Sequence, residues 1–117
     1  MVIVVDDDED VREALGDLLR LRGYSVTMAA NGREALELLH RCDPPCVILL
    51  DLVMPVMDGW QLISQLQMSK VLRDIPVVVI SAHAVAMPPA GIEKLLRKPI
   101  DLDDLFSTVA KHCVPGS

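Results

Sequence analysis

Three stretches of this chain are unbroken apolar runs, and each ends abruptly at a residue of a different character. Val2–Val5 is a continuous β-branched run, the mark of a strand buried on both faces. Cys46–Leu50 is a second such run and stops at Asp51, and Val77–Ile80 is a third, entered from Pro76 and stopping at Ser81. Between them the period changes from continuous to helical. Val11, Ala14, Leu15, Leu18 and Leu19 recur on one face, with Gly23 placed to end the helix. Ser25–Ala29 reads as a shorter strand. Asn31 then caps a helix carrying Ala35, Leu36, Leu38 and Leu39, which Pro44-Pro45 closes. Met54–Gly59 is rich in turn residues, and Leu62, Ile63 and Leu66 form the inner face of a further helix. Leu95-Leu96-Arg97 reads as a short last strand before Lys98-Pro99. Asp101 caps a final helix with Leu102, Leu105, Phe106, Val109 and Cys113 facing inward.

The alternation of apolar strands with amphipathic helices predicts an α/β fold: a parallel sheet covered by helices on both faces, with right-handed crossovers. The 117 residues suit a single domain spanning 1–117. Hydrophobic residues make up 51% of the chain, which argues against disorder, but only 3% are aromatic, so the core must be aliphatic. The longest apolar run is far too short to cross a membrane, and no basic segment precedes Val2 to make a signal peptide. A net charge of −6 argues against direct nucleic-acid binding. Three cysteines cannot all pair within one chain, and no second Cys or His pair completes a metal site with Cys42 and Cys46. All three are read as ordinary thiols, which suits a reducing cytoplasm.

Open parallel sheets keep their working residues at the carboxyl ends of the strands, where the strand order reverses. The first apolar run ends in Asp6-Asp7, the third strand in Asp51, the fourth in Ser81-Ala82 and the fifth in Lys98-Pro99. The second ends in Ala29-Ala30, with nothing reactive, as an edge strand would. Three neighbouring carboxylates repel one another unless a cation lies between them. A hard divalent ion with oxygen ligands, Mg2+ or Mn2+, answers that need. Lys98 brings a point charge for an anionic oxygen and Ser81 a hydroxyl. A carboxylate in such a setting is a competent covalent acceptor for a phosphoryl group.

Val4-Val5-Asp6-Asp7, Leu49-Leu50-Asp51 with Met54-Pro55-Val56-Met57-Asp58-Gly59, Ile80-Ser81-Ala82 and Lys98-Pro99 together resemble response-regulator receiver domains. The resemblance covers the whole chain in order. It implies a flavodoxin-like doubly wound sheet of five parallel strands in the order 2-1-3-4-5, an order that the receiver family itself exemplifies. It implies that Asp51 accepts a phosphoryl group, that Ser81 responds to it and that Lys98 contacts it. Asp7 and Asp51 would hold the metal directly, Asp6 directly or through water, and the Val53 carbonyl would be a further ligand. The implied donor is a sensor histidine kinase or a histidine phosphotransfer protein, and an output partner would read the switched surface. Such a domain is not an enzyme for a separate substrate, since it catalyses only its own phosphorylation and dephosphorylation. A cytoplasmic monomer is expected.

Simpler roles compete at several positions. Asp8, Glu9 and Asp10 read as an acidic helix start, and Asp58-Gly59 as turn chemistry. Trp60 and the methionines read as packing. His83 sits either at the crevice mouth or in a solvated loop. Two features depart from the family pattern. Leu95 stands where most members carry an aromatic residue, and the segment from Ala82 to Gly91 is short and holds Pro88-Pro89. Proline and glycine there predict a fourth helix that is missing or cut to about one turn. These departures keep open a receiver-like interaction module that works without phosphorylation. A phosphohydrolase of the haloacid-dehalogenase type needs a second acid two residues after the acceptor, where this chain has Val53.

Overall fold

A computed structural model describes residues 1–41, 43–52, 57–82 and 90–115. The five strands are β1 (Val2–Val5), β2 (Val26–Ala29), β3 (Val47–Asp51), β4 (Val77–Ser81) and β5 (Lys94–Arg97). The helices among the described residues are α1 (Glu9–Leu21), α2 (Gly32–Arg41), α3 (Gly59–Met68) and α4 (Leu102–Ala110). All strands run parallel in the order β2-β1-β3-β4-β5, so the flavodoxin-like architecture is as expected and β2 is an edge. The expected loss of a helix falls on residues 83–89, which lie outside the described residues.

The apolar strands are explained by two cores, one on each face. Side chains alternate across a strand. Ile3 and Val5, with Ile48, Leu50 and Val79, join Leu39, Leu62 and Leu66 under α2 and α3. Val2 and Val4, with Leu49, Val78 and Ile80, join Leu15, Leu19, Leu105 and Val109 under α1 and α4. A strand sandwiched this way has no polar face, hence no alternation in the sequence.

The caps expected at Asn31 and Asp101 form, and Asp8 and Asp58, read as an acidic helix start and as turn chemistry, cap helices as well. Asp8 accepts from the amides of Asp10 and Val11 at the start of α1, Asn31 from Glu34 at α2, and Asp101 from Asp104 at α4. Asp58 and Gln61 form a reciprocal capping box on α3. Gly23 comes just after α1 with φ +91°, a conformation that a side chain resists.

Some expectations fail. Leu102 is 44% exposed and borders an apolar groove with Val11, Leu15 and Leu18 rather than facing inward. Ala14 is exposed, while Gly16 takes a buried place on α1 against Met28. Trp60 and Met68 lie on the surface, so among the described residues the packing role holds for Met1, Met28 and Met57, which are half-buried. The second strand begins at Val26, one residue late.

The cysteines need the largest correction. Cys46, just before β3, is disulfide-bonded to Cys113, just after α4, with Cα atoms 5.4 Å apart. The partners are 67 positions apart in sequence, so spacing rules for neighbouring cysteines could not find them. They meet because α4 packs back across the sheet and ends beside the amino end of β3. Arg22, after α1, lies over the Phe106 ring at 4.0 Å and ties α1 to α4 as well.

Thiol titration of the denatured protein should read one thiol per chain before reduction and three after, since the bond uses two of the three cysteines. Reduction should lower the unfolding free energy by about 2–4 kcal/mol in urea titrations, as expected for opening a long covalent loop.

Candidate functional site

Register decides which strand ends meet. Val5 pairs with Leu50, so the next residues, Asp6 and Asp51, leave adjacent strands side by side. Asp51 pairs with Ile80, and Ser81 with Arg97, so Ser81 and Lys98 come one step later on the same edge. β1 lies between β2 and β3, so this edge is the point of reversal where doubly wound sheets open a crevice.

Carboxylate oxygens of Asp6, Asp7 and Asp51 lie within 4.8 Å of one another. Asp6 is buried, the Asp51 side chain is 12% exposed, and Asp7 is open to solvent. Lys98 reaches in from the end of β5, with Nζ 3.1 Å from Asp6 Oδ2 and 3.8 Å from Asp51 Oδ2. Its backbone amide donates to the Ser81 carbonyl at 2.9 Å, which fixes the ammonium's approach. The Lys98–Pro99 peptide bond is cis. Ser81 is 2% exposed. One ammonium thus faces three carboxylates. The donor set is all oxygen and carries excess negative charge, which suits a hard divalent cation.

Asp6, Asp7, Asp51 and Lys98 therefore stand in one crevice, and Ser81 ends the neighbouring strand, as the strand ends implied. Val53 and His83 lie outside the described residues. Leu95 is half-buried and packs against the core shared by α2 and α3, so an aliphatic side chain fills the place of the expected aromatic. Asp8, Glu9 and Asp10 serve as the cap and first turn of α1, and Asp58 as the cap of α3.

Two supporting residues were not apparent from the sequence. Gly59 donates its amide to Leu52 O at 2.9 Å, and a Cβ there would lie 2.7 Å from both Asp51 O and Leu52 Cα. Glycine lets α3 start hard against the end of β3. Arg12, on α1, donates from Nη1 to the Asp6 carbonyl at 2.8 Å. An arginine in an amphipathic helix reads as solvated surface, so no local signal marks it.

Fold and site together define a doubly wound α/β domain with an acidic crevice at its switch point. The chain belongs to the response regulator receiver domain family, whose model matches residues 2–110; these are the receiver domains of two-component systems. It is 40% identical over 111 residues to the response regulator MprA of Mycolicibacterium vanbaalenii, covering 91% of this chain and 47% of that protein. The chain thus spans about half the length of the curated relatives it first matches. A receiver protein from Pseudomonas putida superposes with a TM-score of 0.87 at 30% identity, over 94% of each chain. The response regulator TrrA of Thermotoga maritima, solved in complex with Mg2+–BeF, superposes at 0.85 with 25% identity, over 96% of this chain and 97% of that one. No helix among the described residues is long and apolar enough to cross a membrane.

Lys98→Met removes the ammonium from a buried carboxylate. Without divalent cation the variant should lose about 1–3 kcal/mol of stability. Added Mg2+ should raise its melting temperature more than the wild type's, because ligand and ammonium neutralise the same charge. Gly59→Ala should displace the end of β3, lowering both stability, by about 1–3 kcal/mol, and Mg2+ affinity, read by calorimetric titration.

Proposed function

We propose that this domain accepts a phosphoryl group on Asp51 from a phosphohistidine donor, a sensor histidine kinase or a histidine phosphotransfer protein. An oxygen of the Asp51 carboxylate attacks phosphorus and forms an acyl phosphate. The bond from phosphorus to the donor imidazole nitrogen breaks, and that nitrogen leaves with the electron pair and takes a proton from solvent. Asp6, Asp7 and Asp51 would hold Mg2+, or Mn2+, with the Val53 carbonyl as the further ligand the family pattern implies. When bound, the ion supplies positive charge against the phosphoryl oxygens and orients them.

The remaining work falls to the chain's own groups. Lys98, already 3.8 Å from Asp51, is placed to pair with a phosphoryl oxygen as charge builds there. Ser81, at the end of β4 next to Asp51's strand, offers its hydroxyl to another. New charge on Asp51 would then change how Ser81 and Lys98 are held, and the surface beyond them is what an output partner reads. The domain turns over no separate substrate; it catalyses only its own phosphorylation and dephosphorylation. We place it in the cytoplasm on the family match alone, since the Cys46–Cys113 bond removes the free-thiol argument for a reducing compartment, and as a monomer without direct nucleic-acid contact given its charge of −6.

The observation that carries this reading is the meeting of three carboxylates and one lysine from three different strand ends at the switch point. The test is intact-mass measurement after incubation with acetyl phosphate, and separately with a phosphorylated histidine phosphotransfer protein. Wild-type protein should gain one phosphoryl group in Mg2+ and none in EDTA, and Asp51→Asn should gain none in either. No gain from both donors would point instead to an interaction module that works without phosphate. Reducing the Cys46–Cys113 bond should leave the uptake unchanged, because the bond lies at the opposite end of β3 from Asp51.

A further inference from the structure

Every polar atom of Asp6 is engaged. Its amide donates to Ala29 O at 3.2 Å. Oδ1 accepts from the Asp8 amide at 2.9 Å, and Oδ2 from Lys98 Nζ at 3.1 Å. Its carbonyl accepts from Arg12 Nη1 at 2.8 Å. Three of these partners hold the residue or its carboxylate in place. The bond from Arg12 holds something else: the peptide unit joining Asp6 to Asp7.

That unit is planar and rigid, so fixing its oxygen fixes where the chain goes next. Asp7 comes directly after it, and its exposed carboxylate has to turn toward Asp6 and Asp51 to stay within 4.8 Å of them. The turn Asp6-Asp7-Asp8 is then held from both sides. The Asp6 carboxylate draws in the Asp8 amide, and Arg12 anchors the carbonyl between the two acids. The anchor is well founded. Arg12 is the fourth residue of α1, a helix capped by Asp8 and packed through Leu15 and Leu19. Arg12 is itself half-buried.

We propose that Arg12 is a positioning residue for cation binding: it orients the Asp6–Asp7 peptide so that both acids face Asp51. The inference rests on the function proposed above only for the consequence to phosphoryl uptake. Its direct consequence is Mg2+ affinity. Partners that orient metal-binding groups typically contribute about 10–100-fold in affinity.

The experiment compares wild type, Arg12→Ala and Arg12→Lys. Mg2+ binding is read by calorimetric titration, and exchange of the Asp8 amide by NMR in metal-free protein. Arg12→Ala should weaken Mg2+ binding about ten-fold and speed Asp8 exchange, while the exchange of β3 and β4 amides stays protected. Arg12→Lys, which keeps a charged donor, should recover part of the affinity. In acetyl phosphate assays the Mg2+ concentration for half-maximal uptake should rise more than the maximal rate falls. Unchanged Mg2+ affinity in Arg12→Ala would overturn the proposal. So would a loss of protection across the whole sheet with no recovery by lysine, which would mark a purely structural role. Wild type that binds Mg2+ but takes up no phosphoryl group would overturn the proposed function, and the titrations would still judge Arg12. Wild type that binds no Mg2+ overturns both.

Discussion

Three like charges held within 4.8 Å, with one ammonium among them, are the constraint around which this molecule is arranged. Such a cluster is unfavourable by itself, since carboxylates repel and Asp6 is also desolvated. It persists because the residues that carry it have no freedom to separate. Asp6 and Asp51 leave adjacent parallel strands in register, and both strands are locked between two cores. The rigidity of the sheet is therefore what holds an excess of negative charge ready for a cation.

The same rigidity divides the molecule into two ends. At the carboxyl end of the strands the chain places its charged groups, its tight approach at Gly59 and the turn anchored by Arg12. The amino end carries the covalent link between Cys46 and Cys113 and the stacking of Arg22 on Phe106.

Much of this was legible in the chain. The strands stood out because burial on both faces removes every polar position from them, and Asp51 stood out because it ends such a run. The caps at Asn31 and Asp101 were legible because a cap is a local event, settled within four residues, whereas Asp58 was read as turn chemistry and proved to cap α3. Leu102 was misjudged because helical periodicity gives a face but not what lies opposite it. Here the β5–α4 junction leaves a groove rather than a wall.

The sequence by itself determined the elements, the fold class and the candidate site residues, since these depend on periodicity and on the residue types that end each strand. Only the tertiary structure decided the rest. Cys46 meets Cys113 across 67 positions, and Arg12 reaches back over its own helix cap to a backbone carbonyl. A backbone oxygen has no residue type to be read, and a long-range pairing leaves no trace in local spacing. Both arise only when register and helix packing bring distant segments to the same place.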